Sequence, residues 1–282
     1  MIRILSDSTC DLGGELAARF DVRLLPLHVL LDEEDYLDGV NITPEQIFAW
    51  SEQTRKAPKT AAPSVDEAKK ILKEGLDAGD EWVCFTISSE MSASFSVLQL
   101  AAKQLHAADR IRVVDSRNLS TGIGLQVLQA CDDVKRGLSA EEICAHARET
   151  ADRIRASFIV DTLEYLHRGG RCGGLSAMMG SVLRIHPKIV VENGVMRPDR
   201  KYRGPLDNVI AHYVRDLDGE MRSGSGGRVF ITHSGCSPQI VDQDRSSLSA
   251  LGCFGEVIET RAGGVISCHC GPGTLGVLFI GK

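Results

Sequence analysis

The feature that most constrains this fold is a regular alternation of short apolar runs with helical segments through the first half of the chain. Two capping boxes mark helix starts, Ser64 with Glu67 and Ser139 with Glu142. The apolar runs are rich in branched and aromatic side chains, which is typical of buried strands. The predicted strands cover residues 2–5, 22–31, 82–87 and 111–114.

This alternation predicts an α/β fold whose mostly parallel sheet is sandwiched between helices, because parallel neighbours need helical crossovers. After about residue 155 the pattern changes to a Gly-interrupted helical region, a hairpin with an Asn193-Gly194 turn, and further strands and helices. We therefore expect two domains, an N-terminal α/β domain at residues 1–155 and a C-terminal α+β domain at residues 156–282.

Charge and composition restrict the class of partner. The net charge is −6 and no block of clustered Lys and Arg is present, so nucleic acid is not expected as a partner. The first residues lack the pattern of a signal peptide, and no apolar run reaches membrane-spanning length. We expect a cytoplasmic protein whose nine cysteines are thiols.

The segment from residue 261 to 281 contains His269 between two apolar runs that read as strands, joined by a Gly-Pro-Gly turn. A histidine at such a strand end either satisfies a backbone carbonyl in the core or contacts a ligand. On an extended strand Cys268 and Cys270 point away from His269, so the three cannot share one metal ion. No metal site is expected.

Other polar residues follow predicted strands or breaks. Asp7 and Asp115 each come after a strand and are either nucleophiles or metal ligands, or N-caps and loop organisers. Residues 32–39 read as an acidic turn, and residues 56–63 as a break between helices. Thr60 in that break is either a ligand contact or part of a linker.

The pair Arg168 and Arg171, in the sequence RGGR, offers two guanidinium groups in a short space. Such residues bind an anion, cap a helix C-terminus or form surface ion pairs. The residues alone leave these alternatives, and the function, open.

Eight short motifs occur along the chain in a fixed order. They are SDSTCDL at 6–12, DG at 38–39, KTxxPS at 59–64, ISSxMS at 87–92, VVDS at 113–116, LEYLxRGGR at 163–171, THSG at 232–235 and HxGPGTLG at 269–276. This ordered set resembles the motifs of the DegV family, and the resemblance extends over the whole chain. The chain is similar to the FakB type of that family, the fatty-acid-binding subunit of bacterial fatty acid kinase.

The resemblance implies a carrier and not an enzyme. It implies that one long-chain fatty acid lies between the two domains, with its tail in an apolar tunnel, and that no cofactor is bound. A partner kinase subunit would use ATP to convert the bound acid to an acyl phosphate for phospholipid metabolism. Transient contact with a membrane surface fits that role.

By motif position, the resemblance places the carboxylate contacts on Thr60, Ser92 and His269. It places Arg168 and Arg171 near the pocket mouth, where they would meet the partner or the ligand. This sequence has Ala61 and Ala93 where the family usually has Ser and Gly, so the head-group geometry is the part most open to change.

The residues after the RGGR segment include adaptable apolar side chains that suit either an acyl tunnel or an ordinary core. They are Leu175, Met178, Met179, Val182 and Leu183.

Two alternative functions remain at this point. One is an enzyme similar to the substrate-binding part of dihydroxyacetone kinase, with a small carbonyl compound held at His269 or Asp7. The other is a regulatory module that binds a partner only with ligand. A long apolar cavity favours the carrier, and a small polar cavity favours the enzyme.

Overall fold

The structure is a computed structural model that describes residues 1–172, 185–224 and 226–282. The five tunnel candidates between Leu175 and Leu183 lie outside these residues. The strands of the described ranges are β1 Ile2–Asp7, β2 Val22–Leu25, β3 His28–Leu31, β4 Glu34–Leu37, β5 Lys59–Ala61, β6 Glu81–Thr86, β7 Ile111–Asp115, β8 Ile154–Ile159, β9 Ile185–Glu192, β10 Val195–Arg203, β11 Arg228–Ser234, β12 Glu256–Arg261 and β13 Thr274–Ile280.

Helices connect most of these strands. Their bounds are α1 Gly13–Arg19, α2 Pro44–Thr54, α3 Val65–Asp77, α4 Ser94–Gln104, α5 Thr121–Lys135, α6 Ala140–Ala151, α7 Glu164–Gly169, α8 Leu206–Asp216, α9 Asp218–Arg222, α10 Pro238–Leu251 and α11 Gly264–Cys270. Among the helices of the described ranges, none combines the length and apolar character that crossing a bilayer requires.

The first sheet is four-stranded and fully parallel, in the order β2-β1-β6-β7. Alternate residues of β6 enter different cores: Trp82 and Cys84 pack with α3 and α4, whereas Val83 and Phe85 pack toward α5 and α6. The predicted α/β fold class is confirmed, and both predicted capping boxes begin helices.

The second sheet has six strands in the order β10-β9-β8-β13-β11-β12. Its pairs are antiparallel except for β11 with β12. Helices α8 and α10 cover one face through a core that includes Tyr213, Val241 and Phe279. Helix α5 lies against the other face and also contacts β1 of the first sheet. The core around Ile123 therefore joins residues of both sheets.

The predicted hairpin forms between β9 and β10, with Asn193 and Gly194 at positive φ as a tight two-residue turn requires. Its tip reaches the first sheet, where the Ser88 hydroxyl donates to the Gly194 carbonyl at 2.7 Å. Strand β8, which begins at Ile154, already belongs to the second sheet. The division into domains 1–155 and 156–282 stays a prediction.

A third sheet of three antiparallel strands, in the order β4-β3-β5, was not expected from the sequence. The predicted strand at 22–31 is split into β2 and β3 by Leu27 and the preceding Pro26, which has no backbone donor. The segment 32–39, predicted as an acidic turn, turns at residues 32–33 and then forms β4. The predicted break at 56–63 does separate α2 from α3, but it also contains β5, which was not predicted.

The prediction of a strand before His269 was also wrong, because residues 264–270 form helix α11. Val265 and Cys268 pack into a core beneath the third sheet, whereas Ile266 and Cys270 pack into the larger core next to α5. Apolar side chains of this segment pack on more than one side, as a helix allows. This tertiary packing overrides the strand preference of the branched residues.

Candidate functional site

A cavity of about 180 Å³ lies where α11, β5 and the loop after β6 meet. Thr60, Ser92, Arg171 and His269 all line it, so four of the five residues singled out by the sequence come together. The rest of its wall is mainly apolar and includes Leu27, Ile87, Met91, Leu119, Val265 and Ile266. The arrangement combines a few polar groups with a wall suited to an apolar ligand.

The polar centre of the cavity is a contact between two distant parts of the chain. The Thr60 hydroxyl oxygen lies 2.9 Å from Nε2 of His269. Strand β5 places Thr60 opposite Val29 at the edge of the third sheet, and α11 packs against β5. The contact therefore depends on how the short helix is seated on that sheet.

Ser92 enters the cavity from the loop that follows β6, at the carboxyl end of the parallel sheet, where ligands of α/β sheets commonly bind. Its backbone N–H donates to the Ser88 carbonyl at 3.1 Å, and its hydroxyl lies 3.0 Å from that of Ser94. The adjacent Ala93 has φ −80° and ψ 0°, which any L-residue adopts. The family's glycine at this position is therefore not required by the backbone here.

Two buried carboxyl groups hold the N-terminus of α11. Asp11 accepts the Gly263 N–H at 2.8 Å, and Asp38 accepts the Gly264 N–H at 2.6 Å. Helix N-termini leave backbone N–H groups without intrahelical partners, and negative charge near them is favourable. The glycines allow this approach, since a Cβ at Gly264 would lie 3.0 Å from the Asp38 Oδ1 atom.

Sequence reasoning missed this role of Asp11 and Asp38. Asp11 lies within the motif SDSTCDL and Asp38 within the motif DG, and these motifs were the available signal of a functional role. No local sequence pattern connects either aspartate to residue 264. Asp38 also accepts a hydrogen bond from the Ser8 hydroxyl at 2.8 Å, and Asp11 accepts one from the Ser120 hydroxyl. Burial raises the pKa of both carboxyl groups, with these hydrogen bonds acting in the opposite direction.

His269 is neutral at physiological pH. Burial, together with the nearby positive charge of Arg171, lowers the pKa of its imidazole to about 4. A neutral imidazole carries one N–H and one lone pair, so it orients a ligand by hydrogen bonding without adding a positive charge.

The two arginines of RGGR have different surroundings. Arg168 pairs with Glu164 one helical turn earlier on α7 and does not line the cavity. Arg171 donates to the Gly169 carbonyl at 2.7 Å and lines both the cavity and an open groove of about 630 Å³ outside it. Met91 and Met196 also line both spaces. This groove therefore adjoins the cavity, and its place as the mouth stays a prediction.

A second, smaller cavity of about 20 Å³ adjoins the inner end of the first. The two share Leu119, Ile266 and Cys270 as lining residues. The hydroxyl groups in the wall of the smaller cavity already have partners, which leaves its surface apolar. These are Ser120 with Asp11, Thr232 with Thr121 and Thr260, Ser234 with Ser267, and Thr274 with the Cys270 carbonyl.

Asp7 and Asp115 organise loops. Asp7 accepts hydrogen bonds from Thr9 and from the Ile87 N–H, and Asp115 accepts from Ser89 and Arg117. On a strand Cys268 and Cys270 would point away from His269, which would exclude a shared metal ion. Residues 264–270 form a helix, so this exclusion does not hold. In the part of the chain that the structure describes, no group of three or more metal-ligating side chains is placed to hold an ion.

Several known proteins are similar to this chain over nearly its whole length. A family model described as "Uncharacterised protein, DegV family" matches residues 1–282. A DegV domain-containing protein of Deinococcus radiodurans is 32% identical over 278 residues, covering 98% of this chain and 97% of that protein. A protein of Thermotoga maritima described as a fatty acid-binding protein is 30% identical over 281 residues, covering 98% of this chain and 96% of the relative.

The similarity extends to solved structures. A DegV family protein from Thermus thermophilus, described by its fatty acid binding, superposes with a TM-score of 0.91 at 30% identity and covers 100% of this chain and 99% of its own. Neither this protein nor the Thermotoga relative is described as an enzyme. From the match of the family model over all 282 residues and the full-length identity to its relatives, the chain belongs to the DegV family.

Proposed function

We propose that this protein binds one long-chain fatty acid, with the carboxylate at Thr60, Ser92 and His269 and the tail directed into the protein. The observation that carries the proposal is the Thr60–His269 contact in the wall of a mainly apolar cavity, which shares three lining residues with a second, smaller cavity. The fatty-acid-binding relatives from Thermotoga and Thermus support the same ligand class.

The apolar tail supplies most of the affinity in this proposal. Burying about fifteen methylenes at ~0.8 kcal/mol each yields roughly 12 kcal/mol before ordering costs, whereas one hydrogen bond to a charged group contributes about 1.5–3 kcal/mol. The hydroxyl and imidazole groups therefore act mainly to fix the carboxylate and to limit the cost of burying it.

The tail follows the first cavity past Leu119, Ile266 and Cys270 into the second. The first cavity, at about 180 Å³, is smaller than the roughly 300–1,000 Å³ of common ligand pockets. Binding a long chain therefore requires the side chains between the two cavities to change rotamer.

The carboxylate end faces the groove that contains Arg171, and we propose that a separate ATP-dependent fatty acid kinase docks there to form the acyl phosphate. In this role the protein collects its ligand during transient contact with a membrane surface.

The direct test is to express the chain in bacteria, extract the purified protein with organic solvent and identify bound lipid by mass spectrometry. We expect close to one fatty acid per protein, and at least tenfold weaker palmitate binding by delipidated His269→Ala than by delipidated wild type. Extracts without stoichiometric fatty acid, or equal palmitate affinity of the two delipidated proteins, would contradict the proposal.

The kinase step is tested separately by adding a fatty acid kinase and ATP to the loaded protein and measuring acyl phosphate as its hydroxamate. Fatty acid binding without acyl phosphate formation would leave the carrier role and remove the kinase partner.

A further inference from the structure

His269 is held between two residues that contact opposite edges of its ring. On one edge Nε2 lies 2.9 Å from the Thr60 hydroxyl oxygen. On the other edge Nδ1 is buried and, within the described residues, has no hydrogen-bond partner. That edge packs against Gly169, where an added Cβ would lie 2.3 Å from Nδ1 and 3.2 Å from Cε1.

Glycine is needed at position 169 because a Cβ atom there would clash with the His269 ring, and not because of the backbone conformation. Gly170 has a φ of +66°, which favours glycine, whereas Gly169 is the last residue of helix α7 and is not in the left-handed region. A methyl group at 169 could be accommodated only by moving the ring, and moving the ring breaks its contact with Thr60. Neighbouring glycines in one motif therefore serve different purposes.

The surroundings also determine which ring nitrogen carries the proton. An N–H on Nδ1 would be buried against a glycine backbone without an acceptor, which costs the full desolvation of a donor. An N–H on Nε2 has the Thr60 oxygen as its acceptor at 2.9 Å. The neutral ring is therefore in the Nε2–H form.

We infer that Gly169 is a positioning residue that sets both the orientation and the tautomer of His269. At the carboxylate site of the proposed function, the imidazole then acts through Thr60 and does not itself donate to the carboxylate. With Nε2–H donating to Thr60, one lone pair of the threonine oxygen is occupied and the hydroxyl proton is not used by the ring. Thr60 then offers that proton to the ligand, which is the contact that a carboxylate acceptor needs.

Arg171 reinforces this arrangement by donating to the Gly169 carbonyl at 2.7 Å. The RGGR segment thus supports the ring through Gly169 and lines the cavity through Arg171. The inference rests on the proposed function only in naming a carboxylate as the ligand.

The tautomer is measured directly on delipidated protein labelled with ¹⁵N-histidine, with the His269 signals assigned by their loss in His269→Ala. We expect an unprotonated Nδ1 and a protonated Nε2 at pH 7. A protonated Nδ1 would overturn the inference whether or not the protein binds fatty acid, and the absence of fatty acid binding alone would remove only the proposed function.

The role of Gly169 is tested by comparing Gly169→Ala with Gly170→Ala, using palmitate as the probe ligand. We expect Gly169→Ala to shift the His269 nitrogen signals and weaken palmitate binding at least tenfold. Gly170→Ala, which meets no atom within 4 Å, is expected to lower the melting temperature while leaving both readouts unchanged.

In a His269→Ala background, Gly169→Ala should cost no further affinity, because the group it displaces is absent. Equal losses with and without His269, or wild-type imidazole signals in Gly169→Ala, would overturn the role of Gly169. If Gly169→Ala fails to fold, the wild-type tautomer still decides the inference.

Discussion

The Thr60 hydroxyl and the His269 imidazole lie 2.9 Å apart although 209 residues separate them in sequence. One is on an edge strand of a small sheet, and the other is on a seven-residue helix packed on that sheet. The head-group site therefore depends on the position of that helix on the sheet as much as on either side chain.

Replacing Thr60 by valine keeps the shape of the side chain and removes its hydroxyl. We expect palmitate affinity to fall by about tenfold or more, because a hydrogen bond to a charged group contributes about 1.5–3 kcal/mol. Calorimetric titration measures the change. Thr54→Val is the matched control, since the Thr54 hydroxyl lies at the end of α2, where it donates to the Trp50 carbonyl and accepts the Lys56 N–H. A loss of similar size there would contradict the prediction.

Asp38→Asn should loosen helix α11. An amide presents a donor where two acceptor oxygens now meet the Gly264 N–H and the Ser8 hydroxyl, so a cost of about 1–3 kcal/mol in the free energy of unfolding is expected. Hydrogen exchange of the amides at residues 264–270 should accelerate, and palmitate affinity should fall with it. The exposed Asp77→Asn serves as the control, and equal exchange in both variants would argue against the anchoring role.

The buried Asp244 on α10 gives a pH dependence of stability. Its Oδ2 has no hydrogen-bond partner among the described residues, and burial raises the pKa of the carboxyl group to about 7. The native state then holds a proton that the unfolded state loses near pH 4, so this group lowers stability as pH rises from about 4 to 7.

Asp244→Asn removes that dependence. The variant should be more stable than the wild type at pH 7.5, by up to about 4 kcal/mol, and by only about 1 kcal/mol at pH 4.5. Urea unfolding at the two pH values measures this difference. Asp242→Asn, on the same helix with a side chain 71% exposed, should show no such change, and a pH-independent effect of Asp244→Asn would contradict the assignment.

Replacing Arg171 and replacing Arg168 should have different effects on the kinase step. Arg171 lines the cavity and the adjoining groove, whereas Arg168 is engaged with Glu164 on the surface of α7. Arg171→Ala is expected to lower the rate of kinase-dependent acyl phosphate formation by at least fivefold, and Arg168→Ala by less than twofold. Equal rates for the two variants would show that the groove at Arg171 is not where the kinase acts.

Local signals in the sequence were sufficient for much of the fold. The capping boxes at Ser64 and Ser139 begin helices, and the Asn193-Gly194 pair makes the expected hairpin turn. Each of these features is decided by residues within a few positions of one another, so its physical cause is visible in a short stretch of sequence.

The segment around His269 could not be predicted in the same way. Val265 and Ile266 favour a strand locally, but the N–H groups that begin the helix are satisfied by Asp11 and Asp38, more than two hundred positions away. The residues at the site were found through the family's motifs, whereas the support that Gly169 gives to the ring has no counterpart in local sequence.

The final strand of the second sheet has a consequence for synthesis of the protein. Residues 274–280 pair with β8 on one side and β11 on the other, so they fill the centre of the sheet and not its edge. During synthesis on the ribosome, the other strands of this sheet emerge before the strand that joins them. The parallel sheet has its four strands once residue 115 has been synthesised, whereas the second sheet and the site at His269 wait for residues 269–280.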